Sequence, residues 1–435
     1  MSKLGRRSGK MPAVSMKTLR HDQSDFDAAL TSALAVNSLF DPQIEDRVRS
    51  VIRDVQTRGD AAVLELTERF DKVKLTAGEL RVTPPRTTGN AALRKAIALA
   101  NRNIADFARR GLPVAWTMRN AQGARVGEKF DPIRRVGVYI PGGTAPLAST
   151  ALMTITLAKV AGCKEIVACT PSTNPDLLYA IKVAGATEVY RIGGAQAIAA
   201  MALGTKTIRP VLKVFGPGNA YVTAAKKLLF GRVAVDLLAG PSEVLILADD
   251  SADPRFIAAD LLAQAEHGSG EERVWVVTTS RRALEALPAE IARQQAALPR
   301  SELVERVLAK GAVCVLVKNL AQAIEIANQF APEHLEIMAK NPASIAKKLT
   351  TAGAIFLGPW SPTVVGDYVA GPSHTLPTGG AGKAFAGLTV EQFMRRTSLI
   401  EYTPAALWKS LPAIQAFADV EGLTAHGASA RIRLK

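Results

Sequence analysis

Glu165-Ile-Val-Ala-Cys-Thr170 and Thr187-Glu-Val-Tyr-Arg191 are short apolar runs joined by a helical pattern that reaches Val183, and this stretch decides the fold. Strand, helix and strand at such close spacing read as a βαβ unit, the building block of a parallel sheet. The alternation extends both ways. Upstream, Arg135–Ile140 reads as a strand ending in Pro141-Gly142-Gly143. Downstream come a helix from Ala195, a strand Leu212–Phe215, a helix Ala220–Leu229 and strands Arg232–Leu238 and Glu243–Leu247. A second series follows: helix Pro254–His267, strand Arg273–Thr279, helices to Leu308, strand Ala312–Val317 and helix Leu320–Gln329. The reading is an α/β chain of two similar, incomplete, Rossmann-like doubly wound domains.

The flanks differ. Ile44, Val48, Val51, Ile52 and Val55 recur at helical spacing, as does 91–107, so 22–112 reads as a helical segment packed on the core. Val114–Met118 and Arg125–Phe130 read as strands opening a first α/β domain at 113–250, with a second at 251–380. Beyond Trp360 the chain is rich in Gly and Pro, and from Glu391 it reads as helical. The 381–435 module is too short for a core of its own, so it is expected to pack on another domain or on a partner subunit.

At 435 residues the chain can bury a large core, and 48% hydrophobic with 21% charged residues suits a globular protein. No apolar run reaches the roughly 18–20 residues that span a bilayer; Leu147–Val160 is interrupted by Ser149, threonines and Lys159. Cys163, Cys169 and Cys314 have neither disulfide nor metal spacing, which points to a reducing, cytoplasmic setting. Part of the net charge of +15 sits at the start, where residues 1–20 hold six Lys or Arg and no acid, and the rest is spread along the chain. Residues 1–21 therefore read as a disordered basic tail, with a start-site artefact or a targeting segment as alternatives. The remaining charge suits an anionic ligand such as a dinucleotide. With 5% aromatics and no recognised binding motif, nucleic acid is not an expected partner.

Three glycine turns follow strands: Tyr139-Ile-Pro-Gly-Gly, Gly193-Gly-Ala-Gln196 and Gly216-Pro-Gly-Asn219. Glycine there permits either a tight turn or close approach of a phosphate. None is a GxGxxG fingerprint, and no acidic residue stands about 20 positions on in the expected context. In Phe330-Ala-Pro-Glu-His-Leu-Glu336, Glu333 and His334 pair an acid with a base where a helix breaks at Pro332. Alone, such a pair at a helix start is more often a solvated cap. Of five histidines, four lie late in the chain: His267, His334, His374 and His426. Gln264 and His267, three apart near a helix end, share a face. With the loop residue Asp367 they form a nitrogen and oxygen donor set suited to zinc, manganese or cobalt. Spacing leaves open whether they converge.

The ordered strings GVYIPGG, GGAQAIAA, FGPGNAYV, DLLAGPSE, DLLAQAEHG, APEHLE, GAIFLG, GDYVAGPSHTLPTGG and EGLTAHG resemble, as a set, the histidinol dehydrogenase family. The resemblance implies an NAD-dependent, zinc-dependent four-electron oxidation of L-histidinol through L-histidinal to L-histidine, the last two steps of histidine biosynthesis. It implies Gln264, His267, Asp367 and His426 as ligands of one Zn2+ per subunit, and Glu333 and His334 as the catalytic pair. It implies Ser242, Gln264, His267, His334, Asp367, Glu421 and His426 at the substrate, and Tyr139, Gln196 and Asn219 at NAD. It also implies a homodimer whose C-terminal modules complete each other's sites, and leaves His374 without a role. A rival on the same scaffold is a zinc/NAD alcohol dehydrogenase for another small polar alcohol such as a sulfonated diol; Glu421 favours a cationic amine over a sulfonate. A zinc hydrolase, turning over without NAD, and a basic nucleic-acid-binding protein are rivals from other classes.

Overall fold

In the computed structural model, residues 16–35, 41–142, 147–267 and 269–434 are described. Two parallel sheets organise the chain. The first orders its strands Glu188–Arg191, Glu165–Thr170, Arg135–Tyr139, Lys213–Phe215 and Ala234–Val235. The second runs Lys17–Arg20, Ala312–Leu316, Arg273–Thr278, Glu243–Ala248, His334–Met338 and Ala354–Leu357. Every pairing within both is parallel. In each, the chain lays a central strand, adds two on one side, then crosses to add two on the other; in the second, Lys17–Arg20 adds an edge strand beside Ala312–Leu316. The fold class expected from the sequence is the one observed.

The strand chemistry follows from burial on both faces. All six positions of Glu243–Ala248 are buried, which demands a continuous apolar run instead of an alternating one. Helices Pro42–Arg58, Asp60–Asp71, Gly194–Leu203 and Ala220–Leu229 cover one face of the first sheet, and Ala91–Arg110, Ala148–Ala161 and Pro175–Ala184 the other. In the second sheet, Pro254–Ala265, Arg281–Gln295 and Ser301–Gly311 oppose Phe26–Leu34, Leu320–Phe330 and Pro342–Ala346. Several starts are written in the sequence: Asp253 accepts from the Arg255 amide with Pro254 at the first helical position, and Asn174 with Pro175 does likewise.

Three expectations need correction. Lys17–Arg20, assigned to the disordered tail, is the edge strand beside Ala312–Leu316 and buries Leu19; four mixed residues carry no periodic signal. Residues 1–15 of that tail lie outside the described residues. Glu243–Leu247, assigned to the first domain, forms the central strand of the second sheet, because an apolar run reads the same in either sheet. Met394–Glu401, read as part of a helical stretch, is a strand antiparallel to Arg125–Pro132, which also pairs with Trp116–Arg119. This three-stranded ribbon stands apart from the parallel sheets and is largely exposed. No helix among the described residues is long and apolar enough to cross a membrane.

Candidate active site

The second sheet offers the amino ends of its strands. His334 opens strand His334–Met338, in register with Val244 on one side and Ala354 on the other. Glu333 stands at the bend just before that strand, and the pair is not a solvated cap: the side chains are 8% and 4% exposed. The break before it is strained. Ala331 holds φ 53 and ψ 62, a left-handed conformation that a residue with a Cβ rarely adopts. That turn reverses the chain from helix Leu320–Phe330 into the strand.

Hydrogen bonds orient the pair. Glu333 Oε2 accepts from the Glu243 amide at 2.9 Å and lies 3.5 Å from His334 Nδ1. His334 Nδ1 stands 3.1 Å from the Glu243 carbonyl oxygen. A carbonyl only accepts, so Nδ1 carries the proton and Nε2 is the basic nitrogen of the neutral ring. Nε2 faces Asp367 Oδ1 at 3.8 Å. Burial lowers the affinity of His334 for a second proton, but Glu333, Asp367 and the Glu243 carbonyl outweigh it and raise the pKa to about 9.

Asp367 lies on the short helix Thr363–Tyr368, its Oδ1 also 3.8 Å from His374 Nδ1. His374 donates from Nδ1 to the Asp367 carbonyl at 3.1 Å, and its Nε2 meets Thr150 Oγ1 at 3.1 Å. Burial lowers its pKa. His374, open from the sequence, thus fastens the Asp367 segment to helix Ala148–Ala161 of the first sheet as a neutral ring.

Gln264 sits on helix Pro254–Ala265, 1% exposed, with both amide atoms buried and without a hydrogen-bond partner. His267 lies past the end of that helix and is exposed, its Nδ1 3.2 Å from the Gln264 carbonyl. The expected shared helix face is therefore not formed. Ser242 immediately precedes Glu243, and its carbonyl accepts from the Arg273 amide. Glu421, at the C-cap of helix Pro404–Val420, and His426, on helix Thr424–Arg431, are exposed. Among the described residues of one chain, no three His, Cys, Asp or Glu are close enough to hold a metal. The buried, unpartnered Gln264 amide, with the imidazole and carboxylate types of His267, Asp367 and His426, makes a nitrogen and oxygen donor set of the kind that fits a borderline cation such as zinc.

The dinucleotide candidates gather at the first sheet. Tyr139 and the Gly216 turn follow the adjacent strands Arg135–Tyr139 and Lys213–Phe215, where strand order reverses. The Tyr139 hydroxyl accepts from the Gly194 amide at 3.1 Å, and burial pushes its pKa up to about 12. Gln196 is 1% exposed with an unpartnered Nε2. Exposed Asn219 caps helix Ala220–Leu229, accepting from the Tyr221 and Val222 amides. Gly143, in the first glycine turn, lies outside the described residues.

Several polar groups at the two sites escaped the sequence reading. Asp71 packs against Gly193 with a buried, unpartnered Oδ2, and burial raises its pKa. Burial, opposed by Arg273 and reinforced by Glu333, pushes the Glu243 carboxyl up to about 7. Beneath His334, Glu336 accepts from the Thr363 amide at 2.7 Å, and burial with the neighbouring Asp260 carboxyl raises its pKa. One signal was available for Glu243 and Glu336: a charged residue at a buried position of an otherwise apolar strand.

The sequence model of the family described as Histidinol dehydrogenase matches residues 36–434. A histidinol dehydrogenase from Synechococcus sp. is 45% identical over 399 residues, covering 89% of this chain and 92% of that protein. One from Bradyrhizobium diazoefficiens is 41% identical over 425 residues, covering 96% and 98%. The crystal structure of histidinol dehydrogenase from Elizabethkingia anophelis superposes with a TM-score of 0.91 at 34% identity, covering 97% of this chain and 98% of that one.

Proposed function

The chain belongs to the histidinol dehydrogenase family, and on that premise we propose how its residues carry out the oxidation of L-histidinol, through L-histidinal, to L-histidine. The observation that carries the reading is the His334 tautomer. With Nδ1–H committed to the Glu243 carbonyl, Nε2 is the nitrogen aimed where a substrate hydroxyl would lie beside Asp367. His334 takes the hydroxyl proton in the first oxidation and a proton from the aldehyde hydrate in the second. Glu333, within reach of the same ring, orients it and draws a proton from the water that adds to the aldehyde. Burial of the pair keeps bulk solvent from the intermediate.

NAD, the cofactor of this family, supplies the hydride acceptor; Tyr139, Gln196 and Asn219 would hold it. Zinc, held by Gln264, His267 and Asp367 with His426, would supply a template for the substrate imidazole and amine and polarise the reacting oxygen. Glu421 would pair with the substrate ammonium.

The site reading requires two chains. Support comes from the C-terminal arm: helices Pro404–Val420 and Thr424–Arg431 pack mainly on each other, leaving Trp408, Phe417 and Val420 exposed beside Glu421 and His426. Exposed apolar surface next to unpartnered site residues fits docking onto a second copy.

The test is an absorbance assay of NAD reduction on histidinol and on histidinal, before chelation, after it, and after zinc is restored. Two equivalents of reduced cofactor per histidinol and one per histidinal are expected, with loss on chelation and recovery with zinc. Turnover without NAD, or preference for a sulfonated diol, would overturn the reading.

A further inference from the structure

A second buried charge pair lies directly under the Gly216 turn. Lys226, on helix Ala220–Leu229, and Asp236, just after strand Ala234–Val235, form an ion pair whose side chains are 3% and 0% exposed. Both reach the same glycine. Asp236 Oδ2 accepts from the Gly216 amide at 2.7 Å, and Lys226 Nζ donates to the Gly216 carbonyl at 2.9 Å. The Asp236 amide also donates to the Val214 carbonyl, extending the sheet ladder beside the turn. A helix, a strand end and a turn are thus locked through one residue.

Gly216 cannot be placed otherwise. It holds φ 109, and a Cβ there would stand 2.1 Å from the Tyr139 carbonyl oxygen. A Cβ on Gly218 would stand 2.4 Å from the Val222 side chain. These glycines answer to packing inside the turn. Asp236 follows Gly216 by twenty residues, the separation at which dinucleotide folds present an acid to the ribose. Here its side chain is fully buried and aimed at the turn's own amide, so its task is a different one.

We propose that Lys226 and Asp236 are positioning residues for the cofactor: they fix both peptide groups of Gly216 and so set the Gly216–Asn219 turn against the dinucleotide. The proposal rests on the reading of that turn as part of the NAD site. A buried ion pair replaced by apolar side chains of similar volume often leaves stability unchanged or improved. Stability and cofactor geometry can therefore be separated by experiment.

The test uses the full-length, zinc-loaded enzyme carrying Lys226→Met with Asp236→Leu. The expected result is a KM for NAD raised at least tenfold, with melting temperature, KM for histidinol and kcat at saturating NAD nearly unchanged. A KM for NAD within twofold of the parent overturns the proposal. If the double variant shows no cooperative thermal transition, Lys226→Gln alone answers the question, because its shorter neutral amide cannot span to both partners. The same tenfold rise supports the proposal, and an unchanged KM overturns it. Asn219→Ala run alongside separates the premises. A raised KM there with an unchanged one in the pair variants removes only the positioning role; no effect in Asn219→Ala removes the turn from the NAD site and the proposal with it.

Discussion

His334 donates its Nδ1 proton to the Glu243 carbonyl across 3.1 Å, so the neutral ring keeps its lone pair on Nε2, toward Asp367. The free base is thereby aimed, and its proton affinity is raised by the two carboxylates around it.

That arrangement predicts an alkaline activity profile. A base acts only when deprotonated, and the His334 pKa stands at about 9. For the free enzyme, kcat/KM on histidinol should fall about tenfold per pH unit below that value. Glu333→Gln removes the strongest influence raising it, so the midpoint should move to lower pH. A profile measured between about pH 6 and 10 with the same midpoint in both proteins would contradict the electrostatic account.

The two carboxylate roles separate by step. Glu333→Gln keeps an acceptor for the Glu243 amide but loses the base for water. Oxidation of histidinal should slow by roughly 10²–10⁴-fold, while the first hydride transfer slows less. Single-turnover kinetics from each substrate decide this, and equal slowing of both steps would rule the division out.

Metal content offers a readout independent of turnover. Replacing the orphaned Gln264 amide by Ala, or His426 by Asn, should lower bound zinc per chain by tenfold or more at limiting metal, measured by elemental analysis after dialysis. Mixed dimers of His426→Asn and Glu333→Gln chains should recover part of the activity, since one of the two shared sites would be intact. No recovery in a verified mixed dimer would locate the whole site within one chain.

The Asp260–Glu336 pair predicts a stability slope. Burial raises both carboxyls, Asp260 from 3.8 to about 6, and Asp260 raises Glu336 further. The folded state then holds protons that the unfolded chain has released, so stability falls as pH rises from about 4 through 6. Glu336→Gln leaves an amide that donates to Asp260 and accepts from Thr363. It should flatten the dependence of melting temperature on pH and raise the value at about pH 8. Parallel curves for the two proteins would refute shared protonation of the pair.

Much was legible before folding because it rests on local chemistry. The 165–191 alternation fixed the class of fold, since a fully apolar strand between short helices has few places to go but a covered parallel sheet. Asp253-Pro254 and Asn174-Pro175 marked helix starts by hydrogen bonds within a few residues. The ordered motifs named the family, whose model spans residues 36–434.

What local chemistry could not determine was which sheet, which face and which neighbour. Glu243–Ala248 is the same apolar string in either sheet, and only pairing with residues far along the chain assigns it. Lys17–Arg20 and Met394–Glu401 become strands because distant partners accept their backbone bonds. The burial of Glu333, the tautomer of His334, the inward turn of Asp236 and the orphaned Gln264 amide depend on contacts between remote segments, whose energies no window of sequence contains. The sequence by itself determined the elements, the family and the reactive residue types; tertiary structure decided their protonation, orientation and partners, because those follow from desolvation and geometry that exist only once the chain has closed on itself.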